Sequence, residues 1–411
     1  MEVKVSFDWF KFTTDQVLYN EFYYSDNTDV KEILKRGENE LILKEVVETL
    51  NHRSKLFTLY EMNRGKCARG YTYGLAIDEG VSVSLLGSKN DNDKPTTLFE
   101  LTGKGCYHYS KNQDYIKCWY KLFDLALRNN MKFTRLDIAF DLIGVDDVSD
   151  FIQWLLVKIK DGYCRTRWKE NYDSEITSPN DGYTMYLGSP SSSSRIRIYN
   201  KNSEKISKDK NAFIDNDNYW RIEMQLTSNS NNDREIYNFV SSYIYFFKDY
   251  VENFYDNKNG YNDFKLFLTD YLNKYIEVRL KDDERISRCS VDPRWQEFIG
   301  ELEKNMTFEP GDKNRRSTVM IKKDWLERSV FKAMAQVFIC YGDKYFCNFL
   351  KANLSAAMDD FKDIDKIQIA NYFNENGLVS DFIKNDMVSS IKFKEMVDEF
   401  KEKKVFKVDK R

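Results

Sequence analysis

Histidine is almost absent from this sequence: His52 and His108 are the whole supply in 411 residues. A His-x-His metal cluster, a HExxH helix and a multi-histidine nuclease site are thereby excluded. Cysteine offers a metal no better home. The seven cysteines (Cys67, Cys106, Cys118, Cys164, Cys289, Cys340 and Cys347) are scattered and contain no Cys-x-x-Cys pair. That pattern argues against a zinc site, and the odd number argues against a disulfide framework. Any metal must rest on carboxylates, which suit hard cations such as magnesium or manganese. Long apolar runs are also missing, and no stretch approaches the roughly 20 apolar residues that a membrane span needs. The opening MEVKVSFDWFKF alternates in strand fashion and lacks the basic start and apolar middle of a signal peptide. A cytoplasmic protein with no membrane partner is expected. Nor is there an excess of positive charge: 63 Lys and Arg against 66 Asp and Glu leave a net charge of -3. Nucleic acid, if bound, must meet a local basic face.

What is present is enough apolar material for a large core, at 42% hydrophobic and 15% aromatic residues. The length suggests two or three domains. Residues 1–110 read as a strand-rich subdomain, in which Val3, Val5, Phe7 and Trp9 alternate. GYTYGLAI (70–77) and VSVSLLGS (81–88) flank an Asp-Glu-Gly turn and predict a hairpin. A helical stretch over 31–50 and a strand ending in Gly-Lys-Gly at 103–105, read as a turn, complete that region. Residues 111–300 form the next unit. It has a helical pattern over 111–130, strands over 133–143, 183–189, 195–201 and 219–226, and a helix over 148–160. From about Glu235 onward the pattern is helical almost without break, and 301–411 reads as a helical C-terminal region. Strands first and helices later predict an α+β fold, a large antiparallel sheet with a mainly helical C-terminal region.

Three of the strands share one peculiarity. Alternate residues of a strand lie on one face, and in 135–142 one face carries Arg135, Asp137, Ala139 and Asp141 while the other carries Leu136, Ile138, Phe140 and Leu142. In 195–201, Arg195, Arg197, Tyr199 and Lys201 oppose Ile196 and Ile198. In 220–226, Arg221, Glu223 and Gln225 oppose Trp220, Ile222, Met224 and Leu226. Side by side, such strands present carboxylates next to one tyrosine and several cations. Carboxylates can hold a divalent ion against a phosphate, arginine binds phosphate in bidentate fashion, and a tyrosine becomes a nucleophile when cations favour its phenolate. An antiparallel sheet with one wet face alternates in the same way by default. The pattern alone leaves both readings open.

Several separated blocks resemble the trans-type rolling-circle replication initiators, the replication initiation factor family. They are FDWFKFT (7–13), GYTYG (70–74), FELTGKGC (99–106), TRLDIAFD (134–141), TMYLGSPSSSSRIRIYNK (184–201) and WRIEMQL (220–226), with ISRCSVDPRW (286–295) beyond them. The resemblance implies origin-specific DNA nicking and joining. Tyr199 would be the nucleophile, forming a 5′-phosphotyrosyl link, with Lys201 and Arg197 beside it. Asp137 and Glu223 map to the acids expected to hold Mg2+ or Mn2+, with Asp141 a third on the same face. Arg135, Arg195 and Arg221 would meet DNA. The implied partners are an origin hairpin with a single strand at the nick, a second copy of the chain to supply a second tyrosine, and a host helicase. A relaxase of a conjugative element, acting at a transfer origin, keeps the chemistry and changes the biology. A non-catalytic DNA-binding regulator is a third reading.

Outside these blocks, KIKDGYCRTRWKE (158–170) interleaves cations and aromatics as a strand-binding loop does, or as a solvated loop does. KNRRSTVMIKKDWLER (313–328), with Arg315 and Arg316, is a candidate duplex contact or an ordinary charged helix face. IQIANYFNENGLVSDFIK (367–384) faintly resembles a helix-turn-helix. His108 reads as a structural histidine.

Overall fold

The computed structural model describes residues 1–14, 46, 49–50, 60–62, 68–71, 73–87, 96–111, 113–144, 146–168, 174–178, 182–208, 214, 218–228, 234–252, 259–311, 318–361, 365, 368–369 and 371–372. The helix expected over 31–50 is therefore described only at residues 46 and 49–50, and Arg315, Arg316 and most of 367–384 lie outside the described residues.

In chain order the strands and helices begin with β1 (Glu2–Thr14), β2 (Tyr60–Met62), β3 (Tyr73–Asp78), β4 (Val81–Gly87) and β5 (Thr96–Leu101). Helices α1 (Gly103–Ser110) and α2 (Tyr115–Arg128) lead into β6 (Lys132–Gly144), α3 (Asp146–Lys160), β7 (Cys164–Thr166), β8 (Ser174–Ser178), β9 (Gly182–Leu187) and β10 (Ser194–Asn200). Then come α4 (Lys201–Lys208), β11 (Asn218–Thr227), α5 (Arg234–Glu252), α6 (Asn259–Tyr275), β12 (Ile276–Val278), α7 (Pro293–Asn305) and β13 (Met306–Phe308). The C-terminal part is helix α8 (Thr318–Trp325), one π-helical turn (Leu326–Val330) and α9 (Phe331–Asp359).

Among the described residues, one sheet of eleven strands runs β2-β3-β4-β5-β1-β6-β11-β10-β9-β8, with β13 alongside β1. Every pair is antiparallel except β1 with β13. The expected α+β fold, with its large antiparallel sheet and helical C-terminal region, is what the chain adopts. Strand β1 sits between β5 and β6, so strands from 1–110 and from 111–300 belong to the same sheet.

The core lies on one side of this sheet. Val3, Val5, Phe7, Phe10 and Phe12 of β1 join Leu136, Ile138, Phe140 and Leu142 of β6, Ile222, Met224 and Leu226 of β11, and Ile196 and Ile198 of β10. Trp119 and Phe123 of α2 and Phe239 and Tyr243 of α5 pack on Phe7 in edge-on and tilted geometries. Burial of this apolar side, at about 1.5–3 kcal/mol per large side chain, fixes the pairing register, because a one-residue slip would turn every polar residue inward.

Four local features differ from the sequence reading. Trp9 does not continue the buried series of Val3, Val5 and Phe7. The register slips between Phe7 and Trp9, leaving Asp8 as a β-bulge, so Phe10 and Phe12 take over the core and Trp9 moves to the opposite face. Gly103 to Gly105 is not a turn but the first turn of α1, capped by the Thr102 side chain. Its glycine is forced, since a Cβ at Gly105 would lie 2.2 Å from the Gly80 carbonyl oxygen. Lys201 is the first residue of a helix rather than the last of a strand. Finally, the stretch after Glu235 is interrupted by two short strands, β12 and β13, and β13 returns to the main sheet.

Candidate active site

The register stacks the polar side chains in rows across the sheet. One row reads Trp9, Asp137, Gln225, Arg195; the next Ser6, Ala139, Glu223, Arg197, Tyr186; the third Lys4, Asp141, Arg221, Tyr199, Thr184. Directly paired residues of an antiparallel sheet share a face, so residues of five strands, β1, β6, β11, β10 and β9, meet on one polar surface. Helix α4 packs against β9, β10 and β11 and covers the Tyr199 end of it.

Tyr199 is 1% exposed. Its hydroxyl donates to Glu223 Oε2 at 3.0 Å and lies 3.5 Å from the Lys201 ammonium, which also pairs with Glu204 at 2.5 Å. The Arg197 guanidinium sits 3.9 Å from the ring centroid. Burial, followed by the charge of Glu223, raises the phenol well above its ordinary pKa, while Arg221 pulls the other way. At rest this tyrosine is a neutral phenol. Burial and the nearby Arg221 lower the Lys201 ammonium from its usual range.

Glu223 Oε1 accepts from Gln225 at 2.7 Å and is 4.0 Å from Arg197 Nη1. Asp137 is gripped by Arg135, with Nε to Oδ1 at 2.9 Å and Nη2 to Oδ2 at 2.5 Å. Burial pushes the Asp137 carboxyl up to about 7, and Glu223 adds to the rise through its charge. The two acids sit diagonally on neighbouring strands, close enough to repel.

Asp141 and Arg221 are arranged differently. Arg221 is 0% exposed, donating from Nε to Asp141 Oδ1 at 2.5 Å and from Nη2 to Oδ2 at 2.8 Å. Tyr219 donates to the same Oδ2 at 2.9 Å, so both Asp141 oxygens are engaged. Arg221 Nη1 lies 3.2 Å from Asp8 Oδ1 and 4.0 Å from Glu223 Oε2. The Asp8 pair has the distance of an ion pair without the alignment of a hydrogen bond. Asp8 reaches this spot because the bulge displaces it. A guanidinium enclosed in this way is in no position to touch DNA directly, unlike Arg135, Arg195 and Arg197, which are partly exposed.

Sequence reasoning thus assembled Tyr199, Lys201, Arg197, Asp137, Asp141, Glu223, Arg135, Arg195 and Arg221 on one face, and the fold does bring these residues together. It missed Asp8, Trp9, Tyr186, Tyr219 and Glu204. The signal for the first two was present: apolar residues at 5, 7, 10 and 12 change parity between 7 and 10, which is what a bulge requires. The 158–170 segment is engaged elsewhere. Lys158 pairs with Asp292 at 2.9 Å, Arg165 with Glu277 at 3.2 Å, and Arg167 with Glu235. Trp168 donates to the Ser194 carbonyl at 3.0 Å and braces the β9–β10 hairpin.

Residues 131–352, more than half of the chain, match the model of the replication initiation factor family (Rep_trans). The chain belongs to this family. It is 25% identical over 303 residues to NicK of Bacillus subtilis (strain 168), a protein named as a DNA relaxase, covering 71% of this chain and 75% of the relative. Among solved structures, the rolling circle replication initiator protein from Geobacillus stearothermophilus is similar with a TM-score of 0.47 and 20% identity, over 74% of this chain and 97% of that one. No helix among the described residues is long and apolar enough to cross a membrane.

Proposed function

We propose that this chain nicks and rejoins one strand of DNA with Tyr199 as the nucleophile, and so initiates rolling-circle replication. The observation that carries the reading is the Tyr199 hydroxyl donating to Glu223 in a pocket shared with Lys201 and Arg197, within a chain of the replication initiation factor family. In the reaction the phenol oxygen forms a bond to phosphorus, and the bond from phosphorus to the 3′ oxygen breaks. The phenol proton passes to Glu223, and the departing 3′ oxygen leaves as a hydroxyl after taking a proton from solvent water. The phosphotyrosyl ester keeps the energy of the phosphodiester, so attack by a 3′-hydroxyl reverses the step without ATP. Arg221 opposes the burial that holds the phenol neutral, and the Lys201 ammonium 3.5 Å from the hydroxyl is placed to stabilise negative charge that develops there. Arg135, Arg195 and Arg197, on the open part of the face, grip the phosphates. Arg221 and Asp141 serve instead as a buried brace beneath Tyr199 and Glu223.

A divalent cation fits this site on the chemistry of its donors. Asp137 and Glu223 are buried carboxylates whose mutual repulsion contributes to the raised Asp137 pKa, and a cation held by them would relieve it. Among the described residues no group of three His, Cys, Asp or Glu is arranged to hold a metal. Magnesium commonly takes one or two carboxylates and completes its shell with phosphate oxygens and water. Bound there, Mg2+ or Mn2+ would polarise a phosphate oxygen and neutralise developing charge. Rejoining the displaced strand calls for a second tyrosine from a second copy of the chain, and unwinding calls for a separate helicase.

The likeness to NicK favours, as a second reading, a relaxase acting at a transfer origin by the same chemistry. Incubation with a single-stranded origin oligonucleotide and Mg2+ or Mn2+, followed by mass spectrometry, tests the shared step. An adduct on Tyr199, lost in Tyr199→Phe, is expected. Equal adduct in both proteins would defeat the assignment. Footprinting that persists without metal, with no adduct on any tyrosine, would point to a DNA-binding regulator.

A further inference from the structure

The open part of the polar face carries two partly buried aromatic rings, one on either side of the acids. Trp9 adjoins Asp137 in its row. The Arg135 guanidinium lies 4.4 Å and the Lys11 ammonium 5.4 Å from its ring centroid. The indole N–H donates to Glu100 Oε1 at 3.0 Å, which fixes the ring's orientation. Tyr186 sits at the other end of the Glu223 row, with the Arg195 guanidinium 3.6 Å and that of Arg197 5.9 Å from its centroid. The Nε atoms of Arg195 and Arg197 are enclosed and have no hydrogen-bond partner among the described residues. Between the rings lie β10, β11 and β6, so the two are four strand spacings apart, about 19 Å. That span suits a few nucleotides of an extended strand.

We propose that Trp9 and Tyr186 are base-stacking platforms for a single strand of DNA laid across this face, one on each side of the phosphate that Tyr199 attacks. The inference rests on the nicking reaction proposed above and adds the path of the substrate. Each ring already carries a guanidinium over it, so a base that stacks on the ring or on the guanidinium plane above it puts its flanking phosphate beside a cation. This is the combination that sequence-tolerant single-strand binding uses. The bulge at Asp8 is what turns Trp9 onto this face, and bulges beside active sites commonly re-aim a side chain in this way. Aromatic side chains placed for packing alone would be expected among the core rings on the reverse side, where Phe7, Phe10 and Phe12 of the same strand lie.

The test is binding of a fluorescein-labelled oligothymidylate, followed by anisotropy without metal and in a Tyr199→Phe background, so that no covalent chemistry intervenes. Trp9→Ala and Tyr186→Ala should each weaken binding by about 5- to 150-fold. Trp9→Phe and Tyr186→Phe should largely restore it, because any π-face serves. The slope of log affinity against log salt should stay unchanged, since no phosphate contact is removed. If an alanine variant does not fold, the leucine variant, which keeps more apolar bulk but lacks a π-face, should show the same loss. Folded alanine or leucine variants that bind with full affinity, phenylalanine variants as weak as the alanine ones, or no binding by the parent protein would each overturn the proposal. Absence of a Tyr199 adduct in the wild type, with the binding pattern intact, would sink the nicking reaction and leave the strand path standing.

Discussion

Replacing Arg221 by Met should cost the fold about 3–5 kcal/mol, because it strips the counter-charge from a buried cluster of acids. The structure fixes what is lost. Asp141 forfeits hydrogen bonds of 2.5 and 2.8 Å, and Asp8 and Glu223 lose a cation at 3.2 and 4.0 Å. Asp141→Leu alone should cost a similar amount, since Arg221 would then be buried against Asp8 and Glu223 without its bidentate partner. The double variant Arg221→Met/Asp141→Leu removes both charges and replaces them with hydrocarbon, so its cost should fall well below the sum of the two. Part of the remaining loss is the hydrogen bond from Tyr219 to Asp141, worth about 1 kcal/mol. Urea unfolding of the four proteins, read by tryptophan fluorescence, gives the coupling energy directly. If each single variant lost less than about 1 kcal/mol, or if the double variant lost the sum, the reading of Arg221 as a buried brace would be wrong, and a direct contact with DNA would return as its role.

Glu235 is held down to about 2 by its hydrogen bond to Arg167, outweighing burial, with Tyr275 assisting. A depressed carboxyl stabilises the fold above its unfolded pKa and loses that contribution as pH falls through its folded value, so Glu235→Gln should remove about 1–2 kcal/mol at neutral pH, after solvent screening, and flatten the stability curve between pH 4.5 and 2 in an acid titration. Asp137 has the opposite sign: raised to about 7 by burial, it contributes most below pH 4 and loses its contribution as pH climbs to 7. In metal-free protein Asp137→Asn should therefore flatten that decline, and an unchanged slope in pH-dependent melting would contradict the assignment. Burial, aided by Asp114, raises the Cys118 thiol to about 12. Native alkylation should accordingly spare Cys118, Cys106, Cys164 and Cys289 and label the exposed Cys340 and Cys347, as peptide mapping would reveal.

Period-2 alternation exposed the faces of β6, β10 and β11, because a half-buried strand writes its burial directly into the sequence. It could not reveal the neighbours of each strand. That Tyr199 lies opposite Arg221, and Arg221 opposite Asp141, follows from strand order 6-11-10, which depends on packing far along the chain. The alternation rule failed at Trp9 for a definite reason: one inserted residue shifts the parity of everything after it. Arg221 shows a second limit. Its place on the polar face was readable, but whether a polar face is open or covered depends on what lies above it, here α4 and Gly311, where an added Cβ would come within 3.6 Å of Arg221 Nη2. Residue type places a side chain on a face, and tertiary contacts decide whether it meets solvent.

The resting arrangement also constrains how the proposed reaction begins. A phenol that is 1% exposed, hydrogen-bonded to Glu223 and overlaid by Arg197 cannot meet a phosphate until something above it shifts. Of its neighbours, Arg221 is locked by Asp141, and Lys201 is tied to Glu204, whose carboxyl Lys201 and Lys208 hold below its normal range despite burial. Arg197 is the one with the weakest commitments: a 4.0 Å approach to Glu223, ring contacts, and an Nε without a hydrogen-bond partner among the described residues. A phosphate offers that guanidinium two strong acceptors in place of one distant carboxylate. The incoming DNA would thus draw Arg197 off the tyrosine ring by the same contact that binds its own backbone. On this argument Arg197→Lys, which keeps the charge but loses the planar fork, should slow adduct formation at saturating DNA more than it weakens binding. Equal loss in both would mean that Arg197 only binds phosphate and does not gate the nucleophile.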